Sequence, residues 1–195
     1  MIDRYINLLI DRGIIWQGEE EIYKYKLTCF LEKTFTISIM ILISLMFRQT
    51  ISIVMFIVSF FWLRSRMGGF HLDSFKGCFV GTIGTEIVLI LLIKYRVVPL
   101  IISEILSAIA TVIIFILGAS NHPNMNYDKD EYRFNKKYAR LIVIVEFSAI
   151  LFFIGLDVSE IYIQAVEYSI ILSAVLLVMA FTTVSYTHLT LPTTE

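Results

Sequence analysis

The sequence predicts an all-α polytopic membrane protein, with about six transmembrane helices preceded by an amphipathic N-terminal helix. Three observations predict it. Of 195 residues, 57% are apolar and only 17% charged, with a mean hydropathy of +0.79, whereas soluble domains hold about 45–50% apolar and about 25% charged residues. The charges gather in short segments that leave long apolar runs between them. The basic residues are also strongly asymmetric about those runs, as the loops of membrane proteins are.

Taken in order, residues 2–10 place Ile2, Tyr5, Ile6, Leu9 and Ile10 at helical spacing, opposite Asp3, Arg4 and Asn7. Such a segment is long enough to lie in the interface and too short to cross a bilayer. Residues 19–33 continue helical and charged, with Tyr23, Tyr25 and Phe30 as interface anchors. Residues 1–33 carry charges throughout and show no apolar signal-peptide core; they form an expected interfacial region. Residues 34–184 form the expected membrane domain.

Within it, 34–47 and 50–63 flank Arg48 as two short apolar runs. Each falls below the roughly 20 residues of a typical span, so two short spans joined at Arg48-Gln49 are expected, with one long kinked span as the alternative. A polar loop at 64–78 follows. The further spans are expected at 79–93, 97–117, 138–156 and 161–183, with Pro99 near a helix start and a polar loop over 118–137. Gly81 and Gly84 are expected to let helices pack closely. Residues 185–195 change character abruptly and read as a non-native tail. Segments on the amino-terminal side hold thirteen Lys and Arg; the opposite side holds Arg48, Lys94 and Arg96. This asymmetry puts the amino terminus and the 64–78 loop in the cytoplasm.

A net charge of −1 excludes a strongly basic nucleic-acid binder, and two cysteines make no disulfide framework. Cys29, in an apolar context, reads as inert packing. Cys78 lies in the polar loop with His71. A cysteine attacks a carbonyl as its thiolate and needs a base or a positive potential to form it. His71 can supply the first, and Arg64, Arg66 and Lys76 the second. On an unbroken helix the two side chains would stand about 10.5 Å apart along the axis, beyond hydrogen-bond reach. Gly68-Gly69 followed by Asp73 or Ser74 as a helix cap offers a break. Cys78 would then sit in the first turns of the third span, where the helix dipole favours a thiolate.

Four glutamates, Glu86, Glu104, Glu146 and Glu167, fall inside expected spans, where a carboxylate is costly and often functional. They could instead be protonated, paired with Arg140 or close to a span end. His122 could join His71 and Cys78 as a metal ligand, but four well-spaced ligands are missing, so neither a metal nor a cofactor is expected.

The pattern Arg-x-Arg-Met-Gly-Gly-Phe-His-x6-Cys between the second and third spans resembles the signature of the accessory gene regulator B (AgrB) family. Asn121-His122-Pro123-Asn124 with Glu131 and Lys137 resembles that family's second motif. The resemblance implies a bacterial cell-membrane cysteine endopeptidase that processes a quorum-sensing autoinducer propeptide, with Cys78 as nucleophile and His71 as general base. It implies a thioester acyl-enzyme resolved by a Cys or Ser of the bound peptide, which closes a thiolactone or lactone. Arg64 and Gly69 match family positions important for processing. Arg64, Arg66, Gly69 and Lys76 are the expected substrate-binding residues. An amphipathic (AgrD-like) propeptide, the lipid bilayer and a second copy of the chain are the expected partners. A non-catalytic peptide transporter or exporter subunit is the alternative, supported by the intramembrane glutamates.

Overall fold

The computed structural model describes residues 2–16, 18–68, 75–120 and 128–190, with backbone alone for residues 2, 4, 7, 11 and 183–190. His71, Gly69, Asp73, Ser74 and Asn121 to Asn124 lie outside the described residues. Seven helices follow one another, with no strand among the described residues: α1 (Ile2–Asp11), α2 (Glu20–Phe47), α3 (Thr50–Met67), α4 (Phe75–Lys94), α5 (Leu100–Leu117), α6 (Lys129–Gly155) and α7 (Glu160–Thr190). Six of them, α2 to α7, are long and apolar enough to cross a membrane. Helices are the economical solution in lipid, because every backbone N–H and C=O is satisfied within the segment.

The expectation of two spans in 34–63 is met. Arg48 takes a left-handed conformation (φ 58°, ψ 36°), and the Arg48 and Gln49 N–H groups donate to the carbonyls of Leu45 and Ser44. These bonds close α2 and reverse the chain within two residues. The first span borrows its flanking residues 20–33, since α2 runs unbroken for 28 residues, about 42 Å at helical rise. That exceeds a hydrocarbon core of about 30 Å. The charged first turns project past the apolar layer, because helix hydrogen bonding does not stop where lipid does.

α6 likewise starts nine residues before the expected 138. Asp128 accepts from the Asp130 and Glu131 N–H groups, and the Glu131 carboxylate accepts from the Asp128 N–H. This reciprocal capping box fixes the helix start. The Asp128-x-x-Glu131 spacing was the sequence signal for it. α7 continues to Thr190, past the expected span end at 183.

α7 is the central helix and packs on α3, α5, α6 and α4; residues 163–170 are buried without interruption. Its main apolar cluster joins Leu63, Met67, Ile114, Val143, Ile150, Ile170 and Leu177 from α3, α5, α6 and α7. Buried serines stand at the helix contacts: Ser59 Oγ and Ser169 Oγ are 2.5 Å apart, and Ser103 and Ser107 bond back to their own helix. Small hydroxyl residues let helices approach in a solvent that offers no hydrophobic drive between them. α2 packs against α3 and α4 from outside, and α1 rests on α2 through an Asp3–Lys24 ion pair. Gly81 and Gly84 face open space, contrary to the expectation that they pack a helix contact. Cys29 is exposed on α2 and not packed.

Candidate active site

The site is built at the end of the bundle that carries the amino terminus. α3 stops at Met67 because Gly68 turns into a left-handed region (φ 65°, ψ −140°) that L side chains rarely adopt. The Arg64 guanidinium, half-buried, reaches forward from one turn earlier and donates to the Gly68 carbonyl. The glycine-rich segment therefore leaves α3 from a stem tied by Arg64.

The helix ends that precede the two motif segments are joined: Ser120 N–H donates to the Met67 carbonyl (2.9 Å), linking the ends of α3 and α5. Gly118 prepares this approach. Its φ is +76°, and the Lys136 side-chain stem occupies the space a Cβ would need. Arg140 fastens the same corner: its Nε donates to the Phe115 carbonyl (2.7 Å) and its Nη2 to that of Ile116 (3.2 Å). These carbonyls are among those a helix end leaves without intrahelical partners. Arg140 is thus committed to capping α5 and pairs with none of the span glutamates. Gly118, Ser120 and Arg140 were missed in the sequence; only a Gly at a helix end was a visible signal.

On the other side of α3 stands Cys78. It is exposed, in the first turn of α4, as the glycine break predicts. The amino-terminal end of the helix dipole presents a positive potential to a thiolate there. Arg64 lies close enough to Cys78 to interact electrostatically, and Lys76 is exposed two residues before it. α4 is held near Cys78 by aromatic contacts, with Phe79 on Phe35 of α2 (centroids 5.7 Å) and on Phe75 (5.8 Å). Arg66 points to the opposite side of α3. Its guanidinium carbon lies 5.3 Å from the Phe134 ring centroid and 5.5 Å from that of Tyr138, both on α6. Of the predicted site residues, Arg64 interacts electrostatically with Cys78, Lys76 stands two residues before it, and Arg66 faces α6. His71 and Gly69 lie outside the described residues, as does His122.

Deeper in the bundle, Glu86 (α4), Glu146 (α6) and Glu167 (α7) are buried, and no carboxyl oxygen of the three has a hydrogen-bond partner. Ser59 stands beside Glu146 and Ser103 beside Glu167, neither in bonding geometry. Counted from the ends of their helices at the far face, the three glutamates lie about 10–14 Å deep. They occupy one layer, well separated from Cys78. Glu104 is half-buried near Glu167. Among the described residues, no three His, Cys, Asp or Glu side chains gather as metal ligands.

The family model for accessory gene regulator B matches residues 2–185, nearly the whole chain and both motif segments. The chain belongs to the accessory gene regulator B family. Membership supports a role in processing an autoinducing peptide from a propeptide at a membrane, and six membrane-crossing helices fit the multi-pass membrane protein this requires. No curated protein and no solved structure matches the chain.

Proposed function

We propose that this protein is a membrane-embedded cysteine endopeptidase that cleaves a quorum-sensing propeptide and promotes its cyclisation. The observation that supports it most is the placement of Cys78: exposed at the start of α4, with Arg64 beside it and the two motif stems joined by the Ser120–Met67 bond. In this reading His71 takes the Cys78 proton, and the sulfur bonds to the scissile carbonyl carbon. The C–N bond breaks, and His71 returns the proton to the departing amine. A Cys or Ser of the acyl group then gives its proton to His71 and attacks the thioester, the C–S bond breaks, and Cys78 leaves as thiolate while the ring closes. Thioester exchange is nearly balanced, so the ring forms if water is kept out, which a site at the membrane surface favours. Arg64 and Lys76 supply positive potential and, with Arg66 and Gly69, bind or shape the substrate. The thirteen-to-three asymmetry of basic residues supports a cytoplasmic amino terminus and site, and the working form is a homodimer, which crosslinking in membranes tests.

Intact-mass measurement of the full chain in nanodiscs with the propeptide encoded beside it tests the chemistry. A peptide adduct on Cys78, absent from Cys78→Ala, is expected. The three buried, unpartnered carboxyls favour a second reading, a peptide-transport subunit. Peptide flux that survives loss of both His71 and Cys78 would select it.

A further inference from the structure

A depression of about 500 Å³ opens between the ends of α3 and α6, lined by Arg66, Asp130, Glu131, Phe134 and Asn135. Arg66 sits half-buried over two aromatic rings, Phe134 and Tyr138, whose centroids are 4.3 Å apart and whose planes are tilted by 39°. The rings attract the guanidinium and hold it in place without using any of its N–H donors. Among the described residues Arg66 makes no hydrogen bond or ion pair, although two carboxylates line the same depression. Asp130 is turned to Arg133 (3.8 Å), and Glu131 is held in the capping box of α6. A pre-oriented guanidinium with unsatisfied donors suits one ligand chemistry above others, a carboxylate taken by two parallel N–H···O bonds.

We propose that this depression is a docking subsite for an acidic side chain of the propeptide, received by Arg66 on its Phe134–Tyr138 platform. The proposal rests on the peptide-processing reading and names the chemistry by which the substrate is held. Asp130 and Glu131, which line the same depression, disfavour a second acid beside the first and favour a basic neighbour. The position is apt. Arg64 and Arg66 are two residues apart on one helix, hence about 200° apart around its axis, with Arg64 toward Cys78 and Arg66 toward α6. A peptide lying across the end of α3 would touch both, its acidic residue anchored on one side and its scissile bond presented on the other. Arg66 is a positioning residue in this arrangement and touches no reacting atom.

The test separates binding from chemistry. The fluorescent propeptide is titrated onto full-length Cys78→Ala protein in nanodiscs of zwitterionic lipid, with and without Arg66→Gln. Arg66→Gln is expected to weaken binding about tenfold. Neutralising one Asp or Glu of the propeptide should cause the same loss, with no further loss when both changes are combined. Arg66→Lys, which keeps the charge but loses the planar fork, should recover only part of the affinity. In otherwise wild-type protein, Arg66→Gln should raise KM and leave kcat near its starting value. Additive losses, or unchanged binding with both variants, would overturn the subsite. Should Arg66→Gln fail to insert, Arg66→Lys and the substituted propeptides decide the question in the same way. Absence of a Cys78 adduct in the wild type would sink the peptidase reading while leaving this binding experiment intact.

Discussion

The four helices α3, α5, α6 and α7 and the pair α2 and α4 are built on different terms. Over their most apolar eighteen residues α7 is 56% buried and α3 39%, against 11% for α2, while α5 and α4 are alike at 22%. The inner group is pinned by specific polar contacts at both ends: Ser120 to Met67 and Arg140 to the end of α5 at one, Gln164 to the Val98 carbonyl at the other. Phe35 and Phe79 join the outer pair to each other, and the pair leans on the inner group through an apolar cluster of Met40 and Ile90 with Ile53, Ala165 and Tyr168. The stems of both motifs belong to the inner group, whereas Cys78 rides on the outer pair. Its end of α4 is the less buried end, with Phe75 to Thr85 exposed or half-buried and Glu86, Leu89, Ile90 and Ile93 carrying the contact. Cys78 is thus carried, with its side chain exposed, on the less buried end of a lightly packed helix.

Substitutions in the two groups should therefore fail in different ways. The largest effect belongs to the outer pair: Cys78→Ala should abolish cleavage while membrane insertion and melting temperature in detergent stay as they were. Residual cutting would remove the assignment. In the inner group, Gly118→Leu should cost stability and activity together, since it forces a side chain into a φ of +76° and into the Lys136 stem. The strain alone is about 1–2 kcal/mol and the clash adds about 1–3 kcal/mol. Thermal denaturation in detergent reads this loss, and an unchanged melting temperature would mean that the corner is not pinned.

Glu146→Leu comes next and has the opposite sign. Both carboxyl oxygens are buried without partners, and replacing such a group by an apolar one of similar size is often neutral or stabilising. The melting temperature should hold or rise, and a clear fall would reveal a partner for Glu146. The smallest effect lies at the rim. Lys24 holds the Asp3 carboxyl below its ordinary value of 3.8. A lowered folded-state value means that the contact contributes above the unfolded pKa and is lost as pH falls through the folded one. Both groups are exposed, so Lys24→Ala should leave the melting temperature at neutral pH unmoved. It should instead flatten the acid limb of the α1 docking signal, followed by the fluorescence of Trp16.

Much of this was legible from residue order. Apolar runs broken by single charges gave the span count, since lipid penalises any charge it cannot expel. The turn at Arg48-Gln49 was readable because Arg48 is the only charge between Thr34 and Leu63. What misled was the use of charge to end helices. Lys24, Lys26 and Lys33 mark where lipid stops, and α2 passes them; Asp128 and Glu131 marked the true start of α6, and a polar composition concealed it. Gly81 and Gly84 show the same limit from the packing side, because a small residue permits a close contact without creating one.

The sequence by itself determined the membrane class, six crossings, the motif segments and the placement of Cys78 in the first turn of its helix. These follow from local chemistry: solvent preference, glycine freedom and helix capping act between near neighbours. Only the tertiary structure decided that Arg64 interacts electrostatically with Cys78 while Arg66 faces α6, that Arg140 caps α5 and leaves the glutamates unpaired, and that Met67 meets Ser120. Those outcomes depend on which faces of α3, α5, α6 and α7 turn toward one another. In lipid, apolar inward and outward faces look alike in composition, so packing of side-chain shape and a few hydrogen bonds set the rotation of each helix.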